Sequence, residues 1–278
     1  MMEIKDPGQS EISGQNTGGQ DPMGRAMNPI GVFDSGVGGI STLAALTREL
    51  PGEEFYYFGD TKNAPYGTKS TEEVIHLVQN VVGYLMGKDI KALVIACNTA
   101  TGAAAATLRS WMPIPVIGME PALKPAEAAW HGGRILVMAT PLTLRQEKFH
   151  SLMQRFGAHA VPQACPGLME LVEDEDEDGA AKYLEQLFGA WDLNQIDAVV
   201  LGCTHYVFLK PVIRKMLPDR ILITDGNGGT ARQLHRVLKE RDLLRTEGEG
   251  AVHLETSGDP VSVIPIMKRL YERALQIE

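Results

Sequence analysis

Two runs of alternating strand-like and helix-like segments follow one another in this chain. A shift of 106 residues, the distance from Cys97 to Cys203, lays the second run over the first without a gap. In the first run, NPIGVF, EEFYYF, KALVIA and IPVIG are short apolar segments bounded by turn residues. Between them lie the helix-patterned stretches GGISTLAALTREL, TEEVIHLVQNVVGYLMG and TATGAAAATLRSW. In the second, GRILVMA, AHAVPQA, IDAVVLG and RILIT take the strand places, and PLTLRQEKFHSLMQRF, GAAKYLEQLFGAW and VFLKPVIRKML the helical ones. Under the shift 30–33 falls on 136–139, 55–58 on 161–164, 92–94 on 198–200 and 116–118 on 222–224. Such alternation predicts parallel strands joined by crossover helices, and continuously apolar strands suit a sheet covered on both faces. A shared α/β rhythm accounts for the strands alone. It does not account for a constant offset that also superimposes two of the three cysteines. The expected fold is therefore α/β: two pseudo-symmetric, three-layer parallel-sheet (Rossmann-like) domains with the active site between them.

At 278 residues and 44% apolar content the chain can bury a sizeable core, and no apolar run reaches membrane-spanning length. Residues 1–28 are polar, rich in Gly and Gln, and lack the apolar segment of a signal peptide. They read as a disordered N-terminal extension, with the structured protein beginning near Pro29. Three cysteines without an export signal point to the reducing cytoplasm. A net charge of −9 argues against nucleic acid or an anionic membrane as partner. It does not argue against a small anionic substrate, because a local group of N–H donors binds one regardless of overall charge.

The cysteines carry the chemistry. In open parallel sheets ligands sit at the carboxyl ends of the strands, where Cys97 and Cys203 both fall. Polar residues able to cap the next helix follow each: Asn98 and Thr99 in one half, Thr204 in the other. A helix N-terminus favours thiolate and can also hold a carboxylate, so a lowered cysteine pKa is expected. With the halves facing each other, a small carboxylic acid lies between two ionisable thiols. One takes a proton from one face while the other returns one to the opposite face, which is a two-base racemase or epimerase. Two buried small hydrophobes would be the ordinary reading of two cysteines, but their matched positions and followers, C-N-T and C-T-H, weigh against it. Cys165 lacks that context and reads as structural.

Four stretches then stand in order: GVFDSGVGG at 31–39, FGDTKNAPYGTKS at 58–70, ACNTAT at 96–101 and LGCTHY at 201–206. With these the chain resembles the glutamate racemases of the cofactor-independent aspartate/glutamate racemase superfamily over about residues 29–275. His205 after the second cysteine favours glutamate over aspartate. The resemblance implies substrate contacts from Asp34, Ser35, Pro65, Tyr66, Gly67, Asn98, Thr99, Thr204 and His205. It implies that Asp34 assists Cys97, and that a glutamate pairs with His205 on the Cys203 side. Glu173 is the better match for that role and Glu170 the alternative. Asp60 either orients its loop or caps it. The glycines of SGVGG do not have dinucleotide-fingerprint spacing, and a turn alone accounts for them. Val207 and Phe208 depart from the family's usual Pro and Leu, and DGNGGTA at 225–231 from its usual serine.

The resemblance also implies that the segment after about residue 230 returns to the first half. The domains become 29–118 plus 231–278 and 119–230, with 1–28 outside both. The expected reaction is the interconversion of L- and D-glutamate with no cofactor and no metal, supplying D-glutamate for peptidoglycan in the cytoplasm, from a homodimer. For D-to-L conversion Cys97 removes the α-proton and Cys203 donates; the roles exchange in reverse. Rival readings are a sister racemase or maleate-isomerase-like enzyme on the same scaffold, a binding protein without turnover, and a metal site using Cys97, Cys203 and His205.

Overall fold

The computed structural model describes residues 2–5 and 25–277. The first run of segments forms strands β2 (Ile30–Asp34), β3 (Glu54–Gly59), β4 (Ala92–Ile95) and β5 (Val116–Gly118), the second β6 (Arg134–Ala139), β7 (Ala160–Ala164), β8 (Ile196–Leu201) and β9 (Leu222–Asp225). Two more, β1 (Glu3–Lys5) and β10 (Ala251–Thr256), complete a six-stranded sheet of order β1-β10-β3-β2-β4-β5, beside a four-stranded sheet β7-β6-β8-β9. Every pairing is parallel. The cores of the two sheets repeat one order, β3-β2-β4-β5 against β7-β6-β8-β9, so the offset in the sequence is an offset in space. Both β2 and β4 are buried along their whole length, as continuously apolar central strands should be.

Helices α1 (Ile40–Glu49), α2 (Thr71–Met86) and α3 (Asn98–Trp111) cover the first sheet. Capping sets where they begin: Ser70 accepts from Glu73 N, and the Cys97 thiol itself accepts from Ala100 N at the head of α3. After α4 (Leu123–Ala128), the stretch 141–156, read as one helix, is two: α5 (Pro141–Arg145) and α6 (Glu147–Phe156). They part at Gln146, whose extended backbone lets its side chain donate to Thr99 O at 2.9 Å. Helices α7 (Leu168–Glu173) and α8 (Glu177–Gly189) follow. The segment 207–217 is likewise not one helix. A 3-10 turn, Thr204–Leu209, precedes α9 (Lys210–Met216), whose Pro211 fits a first turn and no later position.

Helix α10 (Asn227–Glu240) leads out of the second half. Then β10 pairs with β3, and α11 (Pro260–Gln276) packs on α1, so the last segment joins the first sheet. The two crossings between halves run side by side, since a Cβ on Gly226 would lie 2.6 Å from Glu120 O. One core cluster is shared by both halves, running from Ile30, Val94 and Leu254 to Leu136, Val199 and Phe208.

The reading of residues 1–28 as a disordered extension requires correction at 2–5, which form edge strand β1 against β10 with Met2 and Ile4 against the core, and at 25–28, where a helical turn buries Ala26. A ladder of backbone hydrogen bonds needs little apolar content, so a reading by composition misses it. The stretch 6–24 lies outside the described residues.

Candidate active site

Both thiols stand where strands end. Cys97 follows β4 and Cys203 follows β8, and they are 6% and 7% exposed. They line one small cavity, about 10 Å³ and so with room for little more than a water molecule, together with Ser35, Tyr66, Gly67, Asn98, Thr99, Thr204 and His205. Each half therefore delivers a thiol and the polar residues after it to a common space at the carboxyl ends of both sheets.

The two thiols are supported differently. Cys97 Sγ lies 3.4 Å from Ser35 Oγ and accepts the Ala100 N–H at 3.4 Å. Behind it Asp34 is fully buried at the end of β2, where its carboxylate accepts Gly36 N at 2.8 Å and Thr204 Oγ1 at 3.2 Å. Burial raises the Asp34 pKa; the charge of His205 and those two hydrogen bonds pull the other way without cancelling it. Cys203 Sγ lies 3.7 Å from His205 Nδ1, and His205 Nε2 meets Glu173 Oε1 at 2.9 Å. Burial alone would lower His205, but its bonds to Cys203 and Glu173 raise it well above the ordinary histidine range. Glu173 is raised by burial and lowered more by His205, ending below its ordinary value. A thiol, an imidazole and a carboxylate thus form a line able to store and pass a proton.

A lowered pKa is expected at the head of a helix, and Cys97 does not have one. Burial, followed by the nearby Asp34 charge, pushes it up to about 12, and the hydrogen bonds from Ser35 and Ala100 only partly offset this. Desolvation outweighs the helix terminus because the thiol is almost wholly enclosed.

Most residues expected at the site are brought together there. Asp34 and Glu173 stand one layer behind the cavity. Pro65 is not in its wall; it directly precedes Tyr66 and follows Ala64 through a cis peptide bond. The bond to His205 comes from Glu173 and not from Glu170, one turn earlier on α7. Asp60 is buried and accepts the Tyr66 hydroxyl at 2.6 Å and the Asn63 amide at 2.9 Å, so it holds the loop that presents Tyr66. Cys165 lies outside the cavity wall; it is buried, and its carbonyl accepts from Tyr206. Among the described residues no group of three His, Cys, Asp or Glu side chains is arranged to hold a metal ion. No described helix is long and apolar enough to cross a membrane.

Thr140, Met169 and Gly202 also line the cavity, and sequence reasoning missed them. Thr140 occupies the place of Asp34 under the 106-residue shift, so carrying the repeat through from Asp34 would have found it. Its hydroxyl joins Thr99 Oγ1 at 3.1 Å and Thr143 Oγ1 at 2.9 Å.

Comparison with known proteins agrees with this geometry. Residues 30–234 match the family described as Asp/Glu/Hydantoin racemase. A glutamate racemase of Bifidobacterium adolescentis is 49% identical over 253 residues, covering 88% of this chain and 98% of that protein. One from Clostridium botulinum is 46% identical over 248 residues, covering 87% and 96%. Among solved structures, the glutamate racemase of Thermus thermophilus in complex with beta-chloro-D-alanine superposes with a TM-score of 0.76 at 36% identity, covering 91% of this chain and 95% of that one. An Escherichia coli glutamate racemase, in complex with L-glutamate and the activator UDP-MurNAc-ala, superposes with a TM-score of 0.76 at 27% identity, covering 88% and 95%. The chain belongs to the Asp/Glu/hydantoin racemase family and is an amino-acid racemase.

Proposed function

We propose that this racemase interconverts L- and D-glutamate by a two-base mechanism with Cys97 and Cys203 on opposite faces of the substrate. One observation carries the reading: thiols from equivalent strand ends of two sheets line a single cavity. In the D-to-L direction Cys97 takes the α-proton and Cys203 gives one to the other face; from L-glutamate the roles exchange. Cys97 is a neutral thiol at rest and must lose its proton before it can act as a base. Asp34 is the carboxylate placed to assist by taking that proton, which leaves a thiolate beside a neutral carboxyl, and a substrate ammonium entering the cavity would favour the thiolate by offsetting its burial cost. On the other side His205, held protonated by Glu173, keeps Cys203 supplied.

The α-hydrogen of an amino acid is very weakly acidic, and acid–base assistance supplies about 10²–10⁴-fold per group. The remainder is assigned to backbone N–H groups and polar side chains around an enclosed carbanion-like state: Ser35, Asn98, Thr99 and Thr204, with Tyr66 and Gly67. The choice of glutamate rests on the named relatives and on solved relatives that hold D- or L-glutamate. On the same family grounds we assign the product to peptidoglycan synthesis in the cytoplasm and the active form to a homodimer.

The test is optical rotation of D-glutamate over time with purified protein, beside D-aspartate. Decay of the glutamate signal alone to zero supports the reading. A flat glutamate trace from folded, reduced protein overturns it, and activity on aspartate alone would keep the chemistry and change the substrate.

A further inference from the structure

Gly36 and Gly38 do not owe their glycines to backbone conformation. Among the described glycines only Gly132, Gly167 and Gly248 have positive φ, so any residue could follow the path of the turn at 35–39. What this turn requires is space. A Cβ on Gly36 would run into Glu173 Oε1. One on Gly38 would stand 2.5 Å from His205 Cε1 and 2.7 Å from its Cγ, against the ring edge whose Nδ1 faces Cys203. The turn belongs to the first half, whereas Glu173, His205 and Cys203 belong to the second. Val37 adds a backbone hydrogen bond that favours the Glu173 carboxylate. Beneath the turn, the Tyr57 hydroxyl donates to Gly36 O at 2.8 Å and fixes it to the first sheet. The charged and titratable groups acting on His205 are then Glu173 and Cys203, bonded to it, with Asp34 nearby.

We infer that the turn at 36–38 is a positioning element for the proton relay of the opposite half: bare backbone at Gly36 and Gly38 seats Glu173 and His205 against Cys203. The relay is then complete only while the halves are closed on one another, which couples closure to the readiness of Cys203. The seating stands on geometry alone; its kinetic consequence rests on the two-base reading proposed above.

Gly38→Ala in the full chain tests it. The displaced ring is expected to lower kcat/KM about 100-fold, the usual cost of misplacing a catalytic group by an ångström. Racemisation has an equilibrium constant of one, so the two directions must fall together and rates alone do not identify the side affected. Isotope effects do. A higher barrier at Cys203 makes removal of the α-proton from L-glutamate limiting and turns removal from D-glutamate into a fast preceding step. The primary deuterium effect on kcat/KM should therefore grow with α-deuterated L-glutamate and shrink with the D enantiomer. A loss of rate with both isotope effects unmoved, or a change confined to D-glutamate, overturns the inference.

A second measurement does not depend on turnover. Followed by ¹⁵N NMR, His205 of the wild-type should keep its proton to higher pH than an ordinary histidine. In Gly36→Ala, where the clash is with the flexible end of Glu173, its titration should move to lower pH. An unchanged titration overturns the inference even in a protein that does not racemise glutamate, and a shifted one upholds the seating whatever the substrate. Should Gly38→Ala not fold, Gly36→Ala serves for both measurements.

Discussion

Thr204 Oγ1 donates to Asp34 Oδ2 at 3.2 Å, so the residue after one cavity thiol holds the carboxylate behind the other. The bond crosses from one half to the other and spans 170 positions in the chain. With the Gly36 N–H bond and the charge of His205, it favours an ionised Asp34 against the burial that opposes it. Burial prevails, leaving the folded pKa above the unfolded value of 3.8. A raised acid contributes its full stability below pH 3.8 and loses it as the pH rises through the folded pKa. At neutral pH this side chain therefore weighs against folding. Asp34→Asn should raise Tm at pH 7, by about 2–4 °C for each kcal/mol relieved, with no gain below pH 3.8. Racemisation should fall about 100-fold or more. Paired melting curves and rates check this; a variant that melts lower at pH 7 would show the carboxylate to be no burden.

Replacing one thiol should leave half of the reaction. In heavy water, Cys97→Ser should lose racemisation by about 10²–10⁴-fold. Through Cys203 it should still exchange the α-proton of L-glutamate with retention. Cys203→Ser should do the same for D-glutamate through Cys97. Proton NMR of each enantiomer reads the exchange directly. Equal exchange of both enantiomers in either variant would mean that one thiol serves both faces.

The high Cys97 pKa has a signature without substrate. A thiol pushed up to about 12 has little thiolate at neutrality. Its capture by iodoacetamide, read by mass spectrometry of the peptide, should rise about tenfold per pH unit between about pH 7 and 9. A helix-terminus thiolate would instead react at a rate already level near neutral pH, which is the behaviour expected from the sequence and not from the enclosed site.

What was legible in the sequence was what recurs in it. The offset predicted four strands of each sheet, the equivalence of β4 and β8, and the arrival of two thiols at one site, because strand and thiol positions are carried by local pattern; β1 and β10 lie outside it. What enclosure does was not legible. No pattern reports that Cys97 is only 6% exposed, so the helix terminus was credited and desolvation was not. Contacts between distant segments were equally silent: the break at Gln146 is explained by Thr99, and the choice of Glu173 over Glu170 by where His205 stands. The glycines at 36 and 38 read as a turn until the side chains lying on them came from the other half.

A last prediction concerns the opposite end of the first sheet. Lys91 Nζ meets Glu53 Oε2 at 2.6 Å with the two side chains 1% and 3% exposed. The ammonium also donates to Ala26 O, and Glu53 Oε1 accepts Arg245 N at 2.9 Å. Burial lowers the Lys91 pKa and the bond to Glu53 opposes it. Such a pair stabilises little against an apolar replacement, but breaking it strands a buried charge at about 3–5 kcal/mol. Lys91→Met should therefore lower stability by about that amount in denaturant titration. Converting Glu53 to Met as well should recover much of the loss, since no charge is then left alone. Lys91 N bonds Pro29 O, before β2 begins, whereas the cavity lies where β4 ends. The folded fraction of Lys91→Met should accordingly racemise at the wild-type rate. A double variant no more stable than the single, or a slowed reaction in fully folded protein, would show that the pair does more than tie the N-terminal approach to the sheet.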